Sequence, residues 1–276
     1  MGWSFVAIDF NFCCVQYFIR YVESNFQAYD EMRHGSLFSG IGGFDLAAQW
    51  MGWENIFQVE IDTYCQKVLA KNFPDVTRYG DIKKFDGRKY RGTIDILSGG
   101  FPCQPYSKVG RRKGSKDSRA LWHENLRIIR EIKPSWIVSE NVIGIESMDL
   151  PLVLASLEDE NYKTEIYNIP ASAVGAWHRR ERLWIIANLN GKGLEGFKRD
   201  EVHPEEWQET IRRTRPGYWS HPWHEIASDF CRNHDGVPDR IHRIKALGNA
   251  VVPQIAFEIF KAIEITNEFS YSSKAK

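Results

Sequence analysis

From Gly35 onward, short apolar runs alternate with stretches of helical spacing. Ser36-Leu37-Phe38, residues 56–59 and residues 94–97 read as buried strands, each too short for a helix. Between them, residues 44–50 and 63–71 carry helical periodicity. Leu121, Trp122, Leu126 and Ile129 mark one face of a further helix, and Lys133-Pro134 stops it because a residue before proline is pushed out of the helical region. Residues 136–138 follow as a strand, Asp149 caps a helix with Pro151 in its first turn, and residues 162–167 and 182–187 give two more strands. Pro253 opens a last helix on which Ile255, Ala256, Ile259, Phe260 and Ile263 form one apolar stripe. This alternation predicts an α/β fold with a doubly wound, mostly parallel sheet.

Two stretches break the pattern. Residues 10–21 are apolar and aromatic, but Asp9, Asn11 and Arg20 bound or interrupt them, they are too short to span a bilayer, and no basic leader precedes them. Residues 1–31 therefore read as an appended segment of uncertain role, with an amphipathic helix covering the sheet as the alternative. Residues 189–239 mix Gly, Pro, Trp, His and Arg without periodicity and read as a small insert. The expected division is an extension over 1–31, a main domain over 32–188, the insert over 189–239, and a segment over 240–276 that returns to the main domain.

Composition narrows the partners. With 276 residues the chain has ample length for a core, and its 36 basic and 36 acidic residues cancel, so any polyanion binding comes from local clusters. Cys13, Cys14, Cys65, Cys103 and Cys231 are odd in number and scattered, which suits a reducing cytoplasm. His221-Pro-Trp-His224 and Cys231-x-x-His234 invite a zinc reading, but only six residues separate the pairs, tighter than a structural finger, and no metal is expected.

Candidate chemistry gathers at the ends of the strands. Gly99-Gly100-Phe101-Pro102-Cys103-Gln104-Pro105-Tyr106-Ser107 places one thiol between prolines directly after a strand, where parallel sheets hold their ligands. A thiolate there is a strong soft nucleophile; a half-buried turn residue is the bland reading. Phe38-Ser39-Gly40-Ile41-Gly42-Gly43 sits at the first strand-to-helix turn, where glycines let backbone approach a ligand. Glu60 ends the second strand twenty residues after Gly40, suited to ribose hydroxyls. Asp45 occupies the third glycine position of the dinucleotide fingerprint, which favours a nucleoside without phosphates. Asp81, in Gly80-Asp81-Ile82, can meet an exocyclic amine or simply cap a helix.

Taken in order, Phe38-x-Gly40-x-Gly42-Gly43, Glu60, Gly80-Asp81-Ile82, Gly100-Phe101-Pro102-Cys103-Gln104, Glu140-Asn141-Val142, Arg180-x-Arg182 and Leu247-Gly248-Asn249-Ala250-Val251-Val252-Pro253 resemble the DNA cytosine-5 methyltransferases of phage and bacterial type. The resemblance spans roughly residues 32–263 and implies the S-adenosylmethionine-dependent methyltransferase fold, with the insert serving target recognition. It implies S-adenosyl-L-methionine as cofactor, with Glu60 on the ribose and Asp81 on the adenine amine. Phe38 and Ile82 would flank the adenine and Asn249 would help close the site near the methionine moiety.

The same resemblance implies methyl transfer to C5 of cytosine in double-stranded DNA. Cys103 attacks C6, Glu140 meets N3 if burial keeps it protonated, and Arg182, with Arg180 beside it, meets charge at O2. The base must be flipped from the duplex. Residues 107–119 look like a basic loop closing on DNA, with Gln104, Ser107, Arg111, Arg112, Lys113 and Arg119 as candidate contacts. Arg212, Arg213, Arg215, Tyr218, Trp219 and Trp223 in the insert suit a groove or form the insert's own core. His178 replaces the family's glutamine two residues before Arg180. A cytoplasmic monomer is expected, with no membrane partner; the resemblance admits a restriction endonuclease on a separate chain or a role in protecting phage DNA. The alternatives are methylation of transfer RNA, a catalytically silent DNA-binding relative, and a nicotinamide-dependent thiol oxidoreductase, which Asp45 disfavours.

Overall fold

The computed structural model describes residues 32–102, 121–147, 149–176, 179–189 and 240–274, with backbone alone at 240–244 and 268–274. The extension 1–31, Cys103 and the basic loop after it, His178 and residues 190–239 of the insert lie outside the described residues, and so do the expectations placed on them.

Seven strands form one sheet in the order β3-β2-β1-β4-β5-β7-β6. They are β1 (Arg33–Leu37), β2 (Glu54–Val59), β3 (Thr77–Tyr79), β4 (Ile96–Gly99), β5 (Trp136–Val142), β6 (Lys163–Pro170) and β7 (Glu181–Asn188). All neighbours pair parallel except β7, which runs antiparallel to both β5 and β6. The doubly wound, mostly parallel reading holds. The strand order reverses direction between β1 and β4, and in such sheets ligands bind beyond the carboxyl ends at that switch point.

Details differ from the sequence pattern in instructive ways. The first strand ends at Leu37; Phe38 leaves it with φ 51, a left-handed backbone. Strand β3 carries Thr77-Arg78-Tyr79 at the sheet's edge and is too short and polar to show any periodicity. Asp149 stands at the N-terminus of its helix, but its side chain does not cap it. Lys133 ends the preceding helix with φ 55.

Helices cover both faces. On one lie α3 (Trp122–Ile132) and α4 (Leu150–Glu158), packed with Leu97, Ile137 and Ile185 from the sheet. On the other lie α1 (Gly43–Trp50) and α6 (Pro253–Lys274), packed with Ile96, Val138 and Ile186. Helices α2 (Thr63–Asn72) and α5 (Arg240–Asn249) flank the sheet's carboxyl edge, where Lys245 of α5 meets Asp62, the N-cap of α2. The predicted stripe of α6 is buried throughout: Ile255, Ala256, Ile259, Phe260 and Ile263 are each no more than 2 % exposed. Residues Lys245–Asn267 have the length and composition of a membrane span, yet this stripe packs the sheet.

Phe260 is the keystone of that layer, with ring centroids 4.8 Å from Trp53, 5.9 Å from His34 and 6.3 Å from Phe44. Phe260→Ala is expected to lower stability by about 3–5 kcal/mol, because the site is closed on all sides and cannot collapse onto the void. Urea denaturation measures this, and a loss under about 1 kcal/mol would show that the ring is not packed as described.

Candidate active site

The glycine turn after β1 is the first wall of the site. Gly42 N–H donates to Ser39 O at 2.9 Å, and Gly40 and Gly42 take φ 57 and φ 90, conformations that favour glycine. A Cβ on Gly40 would meet nothing within 4 Å, so that side of the turn opens outward. The strained backbone of Phe38 costs about 1–2 kcal/mol in the absence of compensating contacts and sets its half-buried ring beside the turn.

Glu60 binds the turn to the end of β2. Its Oε2 accepts Gly40 N–H at 2.7 Å and its Oε1 accepts Asp62 N–H at 2.7 Å. Burial pushes the carboxyl above its ordinary range, and these amides draw it back down. Each oxygen keeps a further lone pair for a hydroxyl donor. Ile61, next in the chain, is 69 % exposed, an apolar side chain presented at this rim that sequence reasoning passed over. Ile82, expected beside an adenine, is 4 % exposed and packs into the core with Phe85. Asp81 accepts Lys83 N–H at 3.0 Å and so serves as a cap for the short helix after β3.

Asp45 has a structural job. Fully buried in α1, it accepts Ser36 Oγ–H at 2.9 Å and Gln58 Nε2–H at 3.0 Å. Ser36 Oγ also lies 2.6 Å from Ser39 Oγ, which accepts Val59 N–H at 3.1 Å. His34, deeper in β1, contacts Ser98 Oγ at 2.7 Å and Asn55 Oδ1 at 2.6 Å. Burial raises the Asp45 carboxyl and lowers the His34 imidazole, so both are pressed toward their neutral forms. The network braces the glycine turn from below.

Across the switch point, β5 presents two side chains in opposite directions. Val142 pairs with Arg182 of β7, so Glu140, two residues earlier, lies diagonally across from Arg182 on the same face. Glu140 Oε1 and Arg182 Nε stand 2.8 Å apart, with side chains 12 % and 21 % exposed. Burial pushes the Glu140 carboxyl up, and Arg182, then Arg180, pull it partly back. A Cβ on Gly100 would come to 3.4 Å from Glu140 Oε2, so glycine lets the chain leaving β4 pass close to this acid. Asn141, on the opposite face, donates to Phe101 O at 3.2 Å and fixes the backbone that leads into Pro102 and Cys103. The sequence offered Asn141 only as part of a motif; its tether shows what it holds.

Arg180 and Asn249 meet through backbone. The Arg180 guanidinium donates to Gly248 O at 2.9 Å and Ala250 O at 2.8 Å, carbonyls on either side of Asn249. The next residues reach the glycine turn: a Cβ on Gly43 would lie 2.8 Å from Val251 O. Thus Phe38, Gly40, Gly42, Gly43, Glu60, Asp81, Glu140, Arg180, Arg182 and Asn249 all border the carboxyl edge of the sheet, whereas Cys103, Gln104, Ser107, Arg111, Arg112, Lys113 and Arg119 lie outside the described residues.

The chain is similar to known proteins. The chain is 32% identical over 235 residues to the type II methyltransferase M.MspI of Moraxella sp, covering 82% of this chain and 55% of that protein. It is 35% identical over 172 residues to the type II methyltransferase M.HhaI of Haemophilus parahaemolyticus, covering 60% of this chain and 52% of that one. The chain thus spans about half the length of these relatives. Among solved structures, DNMT2 of Spodoptera frugiperda superposes with a TM-score of 0.52 and 25% identity over 62% of this chain and 54% of that chain. The sheet is accordingly that of the S-adenosylmethionine-dependent methyltransferases. Residues 32–239 match the model of the C-5 cytosine-specific DNA methylases, and the chain belongs to that family.

Proposed function

We propose that this chain transfers a methyl group to C5 of cytosine in double-stranded DNA. The observation that carries the reading is the buried Glu140–Arg182 pair at 2.8 Å, set beside the glycine that leads into Cys103. An acid pushed toward its protonated form next to a fixed guanidinium suits a heterocycle that gains electrons at a ring nitrogen and a carbonyl oxygen.

Cytosine C5 is a weak nucleophile until C6 is attacked. The Cys103 thiolate adds to C6, Glu140 delivers its proton to N3, and Arg182 faces the charge at O2. Bound S-adenosyl-L-methionine supplies an electrophilic methyl group on a sulfonium. The glycine turn, open at Gly40, together with the spare lone pairs of Glu60, fits the nucleoside end of such a molecule. Phe38, Gly40, Gly42, Gly43, Glu60, Asp81, Ile82 and Asn249 are the residues assigned to hold it. Once C5 carries the new methyl, its proton passes to water, the thiolate departs, and N3 returns its proton to Glu140.

The target nucleotide must leave the duplex, at a cost of a few kcal/mol. Gln104, Ser107, Arg111, Arg112, Lys113 and Arg119 are assigned to the DNA, and residues 189–239 to target recognition; binding therefore weakens steeply with salt. The chain is assigned to the cytoplasm as a monomer, modifying DNA beside a separate restriction endonuclease or protecting phage DNA. Bisulfite sequencing of DNA from cells expressing it tests the whole reading. Conversion-resistant cytosines at one recurring sequence are expected; transfer to transfer RNA alone, or none to either, would overturn it.

A further inference from the structure

Arg180 and Arg182 stand two residues apart, and shared duty on the substrate is the natural expectation for such a pair. The geometry points to a division of labour: Arg180 is a positioning residue for the cofactor, clamping the backbone on either side of Asn249 against the glycine turn. This inference rests on the methyl-transfer reading above and extends it to a residue that acts without touching the base.

Three observations carry it. Helix α5 ends at Asn249, so Gly248 O is among its last carbonyls, which lack partners within the helix and gather partial negative charge. The planar guanidinium of Arg180 meets that charge at Gly248 O, 2.9 Å, and bridges to Ala250 O, 2.8 Å, a geometry that a single ammonium does not reproduce. Second, Arg180 takes φ 29, an unfavourable backbone for a residue with a Cβ, which persists only where surrounding contacts impose it. Third, the clamped segment is joined to cofactor-side elements at both ends. Val251 lies against Gly43, and Lys245 Nζ reaches Asp62 Oδ2 at 3.3 Å, while Asp62 Oδ1 accepts the amides that start α2, two residues past Glu60. The 2.8 Å contact to Glu140 is made by Arg182, while the Arg180 charge acts on that acid more weakly.

The test uses the full chain and S-adenosylhomocysteine, measured by calorimetry, with steady-state kinetics on duplex DNA beside it. Losing two charge-assisted hydrogen bonds in Arg180→Ala is expected to weaken S-adenosylhomocysteine about tenfold or more and to raise KM for S-adenosylmethionine in parallel. At saturating cofactor, kcat is expected to fall by a smaller factor than KM rises, because the hydrogen bonds lost are to backbone carbonyls. Arg180→Lys keeps the charge but not the fork and is expected to move the same way. If Arg180→Ala does not fold, Arg180→Lys and Lys245→Ala carry the test. Lys245→Ala is expected to weaken S-adenosylhomocysteine about twofold to threefold at low salt, a difference that fades at high salt. Unchanged S-adenosylhomocysteine affinity with a collapsed kcat would make Arg180 a substrate contact and overturn the assignment. A wild-type chain that binds no S-adenosylhomocysteine would overturn the methyl-transfer reading itself, and this assignment with it.

Discussion

Cys103→Ser is expected to reduce methyl transfer at least about 1,000-fold while leaving S-adenosylhomocysteine affinity within about twofold. The asymmetry follows from what each step requires. Cofactor contacts are assigned to the glycine turn, Glu60 and the segment around Asn249, none of which the substitution touches. Addition to C6 needs an anion, and a thiol ionises far more readily near neutral pH than a hydroxyl. The same chemistry predicts a trap. With duplex DNA carrying 5-fluorocytosine, the fluorine at C5 cannot leave as a proton does, so the thiolate cannot depart and a covalent complex accumulates. Denaturing electrophoresis reads it directly: a retarded band for the native chain and none for Cys103→Ser. An active enzyme that never forms the band would remove covalent addition from the mechanism.

Glu140→Gln is expected to lower kcat by about 100-fold to 1,000-fold, the usual contribution of a positioned acid. The amide keeps the volume of the side chain but has no proton to deliver to N3. Its oxygen still accepts from Arg182 Nε, whose partner stood at 2.8 Å, but the opposite charge is gone, and the fold is expected to lose about 1 kcal/mol. The pH profile adds an independent signature. Burial raises the Glu140 carboxyl, and the mechanism uses its protonated form. The acid's own contribution to the rate is therefore full below the raised value and declines as pH climbs through it, while the need for the Cys103 thiolate gives a separate acidic limb. Stability follows the same direction: a group whose folded value exceeds its unfolded one favours the fold below the unfolded value and loses that contribution as pH rises through the folded one. Glu140→Gln abolishes this alkaline limb in both measurements. A limb that persists unchanged in the variant would assign it to another group.

Much of the site was legible because its signals are local. A glycine-rich turn after an apolar run, an acid at the end of the next run and a proline opening an apolar stripe each depend on a few neighbouring residues. Burial follows period, and period is written in the chain. The stripe of α6 and the turn at Gly40–Gly43 therefore appear where expected.

What escaped depends on partners far apart in sequence. Asp45 reads as a departure from a cofactor fingerprint, yet in the fold it braces the turn through Ser36 and Gln58. The tether from Asn141 to Phe101 spans forty residues, and the clamp from Arg180 to Ala250 spans seventy. The antiparallel course of β7 is equally invisible, because a strand's own periodicity is the same in either direction. Yet that reversal brings the start of β7 to the carboxyl edge of the sheet and sets Arg182 diagonal to Glu140. The sequence alone determined the longer core strands, the helices of apolar period and the chemical groups at their ends, since these rest on spacing and backbone preference, whereas the short edge strand β3 left no such signal. Only the tertiary structure decided which groups meet, and hence which arginine faces the acid and which holds the backbone, because direction and register are set by pairing between strands.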